Sequence, residues 1–218
     1  MQKRRQMLGM LKFAYYALFA STAITLLWAF VHGLMVLFIE DVFLINATAF
    51  LILAIAGVPY VVLVKAGSAD KWEQYQLSTP ISRGHLAAFW YIKVLVATLL
   101  GVPIIAVIWG VGTIVNDFTV HTFIHEWLSP IAYAFGAILI FTALLFPIGS
   151  TKLGSKVKEG AFFVSMAASG GIIAALAVAS NTMGLSHVLG SLFVIVVSCV
   201  SYIVSMLITM RLYAKMDF

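Results

Sequence analysis

Residues 128–149 read LSPIAYAFGAILIFTALLFPIG, a stretch without one charged side chain. Wound as a helix rising about 1.5 Å per residue, such a run crosses about 30 Å of hydrocarbon. In that medium each backbone N–H and C=O must find its partner inside the segment, which a helix provides. Outward from this stretch, five further apolar runs occur at roughly 13–38, 47–65, 86–114, 160–180 and 187–210. The six runs take up most of the 218 residues, leaving no room for a separate folded domain. Only 10% of the chain is charged, against about 25% for a soluble domain. The expectation is an all-α integral membrane protein, a single transmembrane domain over 1–218 with six transmembrane helices.

All 13 Lys and Arg residues fall in four places. These are the N-terminus (Lys3, Arg4, Arg5, Lys12), the region 65–93 (Lys65, Lys71, Arg83, Lys93), the region 150–160 (Lys152, Lys156, Lys158) and the C-terminus (Arg211, Lys215). The alternate connections hold Glu40, Asp41, Asp117 and Glu126 but no Lys or Arg. The positive-inside rule then predicts a multi-pass protein of the cell membrane with both termini cytoplasmic. The net charge of +5 is spread over membrane-flanking positions, which points to topology and contact with anionic lipid rather than to nucleic acid. Cys199 is the one cysteine, so no disulfide forms within the chain. The basic start runs into a span longer than a signal-peptide core, with no small-residue cleavage site after it, and is expected to stay attached. The sequon Asn46-Ala47-Thr48 abuts a span in a very short loop and carries little weight.

Residues 1–12, MQKRRQMLGMLK, fit a short amphipathic helix at the cytoplasmic interface, or simply an anchor for the first span. His32 is an ionisable group in span 1, a candidate by position but more simply an imidazole hydrogen-bonded to a neighbouring helix. Pro59, Pro103 and Pro147 sit in or at the edge of spans. Each removes a backbone donor, and the freed carbonyl must be satisfied by a neighbouring helix or by water. In span 5, Ala167, Gly171, Ala175 and Ala179 form a small-xxx-small stripe that lets a second backbone approach, within the chain or across a dimer axis. Between spans 3 and 4, Val120, Phe123, Ile124 and Trp127 form one stripe of a short outer surface helix. His121 and His125 have a spacing that can hold metal, yet their order is not a zincin HExxH, and an interfacial helix with no metal is the preferred reading.

The segment between spans 2 and 3, KAGSADKWEQYQLSTPISRGHLAAFWYIK, carries the most information. Asp70 with Glu73 three residues on makes a capping box for a short helix at about 70–78, whose Trp72 and Tyr75 share a face. Thr79-Pro80 stops it, and Ser82 can cap the next helix. The pattern alone leaves two readings open, interfacial aromatics or a docking helix.

DKWEQYQLSTPISRGHLAAFWYIK resembles the loop of bacterial type-2 ATP-binding-cassette (ABC) permeases, small six-span membrane subunits of exporters. Trp72, Tyr75, Leu77, Ser78, Pro80, Ser82 and Arg83 stand in the order of that family's loop. FPIGSTKLGSKVKEG is similar to its second cytoplasmic loop (Pro147, Lys152, Gly154, Lys156), and MRLYAKMDF to its basic-aromatic close (Tyr213, Lys215, Phe218). Departures are His85, where the family often has Glu or another polar residue, and Tyr91-Ile92-Lys93, which reverses the usual Lys-Tyr order. The resemblance extends to permeases of peptide-toxin exporters, such as those for phenol-soluble modulins. It implies a coupling helix at 70–78 docking on a separate ABC ATPase through Asp70, Lys71, Trp72, Glu73, Tyr75, Leu77, Pro80 and Arg83. It also implies a second permease chain, as homo- or heterodimer, with ATP and Mg bound by the ATPase and no cofactor in this chain.

The chain has no GxxxxGK[ST] phosphate loop, and no Asp or Glu lies in the middle of a span. A secondary carrier is disfavoured by the second absence. His32 without a buried carboxylate or nucleophile gives no catalytic constellation, so the chain is expected to be non-catalytic. Two readings stay in play: an ATPase-driven exporter of hydrophobic or amphipathic cargo, and a toxin-immunity or sensor protein that binds a peptide without moving it.

Overall fold

The computed structural model describes residues 84–85, 87–96, 98, 99, 101, 128–149 and 155–215, with Val31 and Ile114. Among these residues the backbone is helical except for the turn at 183–186 and Lys215, and no strand occurs. Helix α1 is Ala87–Val96, α2 is Leu128–Gly149, α3 is Ser155–Thr182 and α4 is His187–Ala214. Three are long and apolar enough to cross a membrane: α2, the Gly160–Thr182 part of α3, and α4. They fall on the runs expected at 128–149, 160–180 and 187–210. The α3 helix begins earlier than its apolar run, so Lys156 and Lys158 lie in its first turn. Spans 1 and 2, most of span 3, residues 1–12 and the surface helix around His121 and His125 lie outside the described residues.

The link from α3 to α4 is a Schellman turn. Gly184 adopts a positive φ of 68°, the Gly184 N–H bonds the Asn181 carbonyl at 3.0 Å, and the Leu185 N–H bonds the Ser180 carbonyl at 3.1 Å. Only glycine takes that backbone conformation without a Cβ penalty, and the two bonds satisfy carbonyls the helix end would leave bare. Ser186 then caps α4, its side chain accepting from the Leu189 N–H at 3.4 Å. Beside the turn, a Cβ placed on Gly190 would lie 3.1 Å from Ser180 Oγ, so glycine here admits the Ser180 side chain of α3.

Helices α2 and α4 run parallel and meet in a heptad register. Ser129 contacts Ser191 at 3.1 Å, Gly136 faces Ser198, and Ser205 donates to the Ala143 carbonyl at 2.6 Å. Each pair is offset by 62 residues, and each follows the last by seven. A repeat of seven keeps one stripe of each helix on the seam along its length, and small residues there let membrane helices close up. A Cβ on Gly136 would sit 2.8 Å from Ser198 Oγ, 3.0 Å from Ile173 Cδ1 and 3.2 Å from Val194 Cγ1. Gly136 is therefore where α2, α3 and α4 come together.

The packing of α4 is inverted relative to a soluble helix. Its buried side carries Ser191, Ser198, Tyr202, Ser205, Thr209 and Tyr213, and its exposed side carries Leu192, Val196, Val200, Ile203, Leu207 and Ile208. Lipid is as apolar as these side chains, so hydroxyl contacts and close packing, rather than hydrophobic burial, hold the helices together. Several hydroxyls also bond back to their own helix, as Thr142 does to the Ile138 carbonyl at 2.8 Å and Ser191 to the His187 carbonyl at 2.7 Å. Helix α2 is central: 56% of its membrane-length stretch is buried, against 17% for α3.

On α3 the buried side holds Ser165, Ser169, Ile173 and Ser180. Ala167, Gly171 and Ala175 of the small-residue stripe lie on the other side and are exposed. The close approach that small residues permit is thus made within the described bundle by α2 and α4.

Two substitutions test the Gly136 contact. Gly136→Ala overfills a packed seam and is expected to cost about 1–3 kcal/mol, read as a lower melting temperature of the detergent-solubilised protein. Ser198 Oγ is buried without a hydrogen-bond partner among the described residues. Ser198→Ala is therefore expected to be neutral or stabilising, and to relieve part of the Gly136→Ala loss when the two are combined.

Candidate functional site

The expected docking residues Asp70, Lys71, Trp72, Glu73, Tyr75, Leu77, Pro80 and Arg83 lie outside the described residues, as do Lys152 and Gly154 and also His32. Lys156 is placed on the first turn of α3. What the structure does show is how the chain leaves that segment and enters the bundle. Gly84 and the exposed His85 are helical. A Cβ on Gly84 would lie 3.5 Å from the Met210 carbonyl oxygen and 3.9 Å from Met210 Cβ. The residue directly after Arg83 therefore rests on the closing turns of α4.

From there α1 puts Tyr91, fully buried, into the space between α2 and α4. Its ring stands edge-on to Phe146 of α2 at 4.8 Å and to Tyr202 of α4 at 5.0 Å between centroids. Trp90 beside it stands edge-on to Tyr213 at 5.4 Å and to Phe146 at 6.4 Å. These offset geometries set ring edges against ring faces, which favours the pairs beyond their burial.

The Tyr91 hydroxyl lies 2.7 Å from Ser205 Oγ and 2.8 Å from Thr209 Oγ1. Ser205 in turn donates to the carbonyl of Ala143 on α2. That carbonyl is the one that residue 147 would bond in an unbroken helix, and residue 147 is proline, with no N–H to offer. The donor missing from α2 is supplied by Ser205 of α4, which meets the requirement that a carbonyl freed inside a membrane find a partner. Because Ser205 spends its proton on Ala143, the Tyr91 hydroxyl is the donor toward Ser205 Oγ. Tyr202 donates its hydroxyl to the Tyr91 carbonyl, so α1 and α4 bond in both directions.

Interhelical hydrogen bonds of this sort contribute about 0.6 kcal/mol each, and the ring pairs about 0.5–1.5 kcal/mol each. Together they hold α1 on α2 and α4 by an amount on the order of a few kcal/mol.

Lys93 belongs with this cluster rather than with the loop preceding it. It lies in α1, is buried at 7% exposure, and places Nζ 4.4 Å over the Phe89 ring. The aliphatic stem and the ring face accommodate a cation that a simple count of flanking charges would put at the surface. The residues that sequence reasoning missed are Ser198, Tyr202, Ser205 and Thr209. A signal existed: in an otherwise apolar helix their three-and-four spacing marks the side turned toward protein.

No curated protein and no solved structure matches the chain. A family model described as ABC-2 family transporter protein matches residues 11–214, nearly the whole length. The chain thus belongs to the ABC-2 transporter family, whose members are the membrane permease components of ABC transporters.

Proposed function

We propose that the chain is the permease subunit of an ABC exporter, moving hydrophobic or amphipathic cargo, peptides among them, out of the cytoplasm or inner leaflet. A separate ABC ATPase, which binds ATP and Mg, drives it. The observation that carries this reading is the junction after Arg83. The chain leaves the 70–83 segment and enters a helix seated at once on α4 through Gly84 and on α2 through Tyr91. A motion delivered at Gly84 would therefore pass at once to helices already in contact with it, as rigid-body coupling requires.

The basic positions agree with this arrangement. Lys156, Lys158, Arg211 and Lys215 lie at the end of the bundle where α1 begins, and that end is assigned to the cytoplasm. The exposed side of α3, with Ala167, Gly171 and Ala175, is assigned to the second permease chain of a homo- or heterodimer. The apolar exposed faces of α3 and α4 leave few fixed charges for a hydrophilic cargo to meet.

Trp72→Ala and Tyr75→Ala are each expected to reduce the ATPase recovered with the tagged chain at least several-fold, with the permease itself still in the membrane fraction. Unchanged recovery together with unchanged export would sink the docking assignment. An ATPase partner disabled in hydrolysis is expected to abolish export, whereas collapse of the proton gradient is expected to spare it. A chain that binds a peptide equally well with and without the ATPase, and never exports it, would instead be the immunity or sensor protein.

A further inference from the structure

Helix α1 meets the closing half of α4, with Trp90 against Tyr213 and two further contacts before and after Trp90 along the chain. At the entry, Gly84 abuts Met210. About two turns further along, Tyr91 reaches Ser205 and Thr209 through its hydroxyl and receives the Tyr202 hydroxyl on its carbonyl. The same hydroxyl bears indirectly on α2, because Ser205 holds the Ala143 carbonyl that Pro147 leaves without a donor. Farther up α4 no bond of this kind ties it to α2 at Gly136: there Ser198 Oγ is buried with no partner among the described residues. The α4 helix is thus hydrogen-bonded to α1 at its closing end and to α2 on both sides of Gly136, through Ser129–Ser191 and Ser205–Ala143, with bare close packing between.

We propose that Tyr91 is the positioning residue that latches α1 to α4, so that the two move as one lever. The inference rests on the reading that an ATPase acts on the segment before Gly84. Under it, displacement of α1 is carried by the Tyr91 hydroxyl to Ser205 and Thr209 and reappears at the His187 end of α4. The ring alone does not suffice. It packs against Phe146 and Tyr202 by edge contacts that tolerate sliding, while a hydroxyl bonded to two side chains fixes one register.

The test uses the complex of the tagged chain with the ATPase that purifies with it, in detergent. A reporter thiol, Leu189→Cys, is introduced in a Cys199→Ser chain; Leu189 is 54% exposed, near the start of α4. Its labelling by a soluble maleimide is timed with and without ATP and vanadate. Trapping is expected to change the rate at least two-fold when Tyr91 is present. In Tyr91→Phe, which keeps the ring, the change is expected to vanish while the same amount of ATPase remains bound. A nucleotide effect that persists in Tyr91→Phe overturns the proposal, as does one absent from the parent. So does loss of the ATPase from Tyr91→Phe, since Tyr91 would then be shaping the docking surface. Absence of any ATPase from the parent chain would instead overturn the exporter reading itself.

A second arm joins the two helices covalently. The Cβ separation of 3.9 Å at Gly84 and Met210 lies in the range a disulfide needs. If α1 and α4 move together, oxidising a Gly84→Cys/Met210→Cys chain lacking Cys199 leaves ATP turnover of the complex within two-fold of the reduced sample. Turnover lost on oxidation and recovered on reduction would show that the helices slide past one another, and the lever would be wrong.

Discussion

A single carbonyl organises this end of the molecule. Pro147 withholds a donor from Ala143 in a helix surrounded by lipid and protein, where no bulk water can fill the gap. Ser205 supplies the donor from α4. Once its proton is committed, its oxygen is left to accept, and the Tyr91 hydroxyl donates to it from α1. Three helices are joined because one residue lacks an N–H. Much of the rest follows from keeping that set together: Tyr202 bonding the Tyr91 carbonyl, and the Phe146 and Tyr202 rings closing around that of Tyr91.

The same economy explains why α4 wears its polar side chains on the inside. In water a helix is driven onto its neighbours by its apolar stripe, but lipid offers those side chains an equally good home. Discrimination between protein and lipid then falls to hydroxyls, which lose more in hydrocarbon, and to small residues, which allow backbones to close. The seam between α2 and α4 uses both, a serine pair at one level, glycine against serine at the next, and a serine on a carbonyl at the third.

The three later spans were legible from length and absence of charge alone, because bilayer thickness leaves little freedom in where such helices begin and end. The need for a neighbouring donor at Pro147 was legible too, since it follows from the chemistry of proline. The identity of the donor was not, because it depends on which helix lies alongside. The small-residue stripe of α3 shows the limit of pattern reading: spacing says that a backbone can approach but not whether from within the chain or across a dimer axis, and Ala167, Gly171 and Ala175 are exposed in this chain. Tyr91 was visible in the sequence only as a reversed Tyr-Ile-Lys order at a helix start. Its place at the hub comes from long-range contacts with Ser205 and Thr209, over a hundred residues away. The aromatic segment at 70–78 was legible as a motif, and it lies outside the described residues.

The seven-residue register of α2 and α4 restricts how this pair can change shape. A shift by a whole repeat would carry one helix about 10 Å along the other and break the Ser129–Ser191 and Ser205–Ala143 bonds. A shift of four residues would bring Tyr202 against Gly136, into a slot that has no room even for a methyl group. Translation along the seam is closed off, and only a change of crossing angle or a twist about the line of contact keeps small residues facing small residues. Conformational states of this protein should accordingly differ in the angle between α2 and α4 while every residue keeps its opposite number.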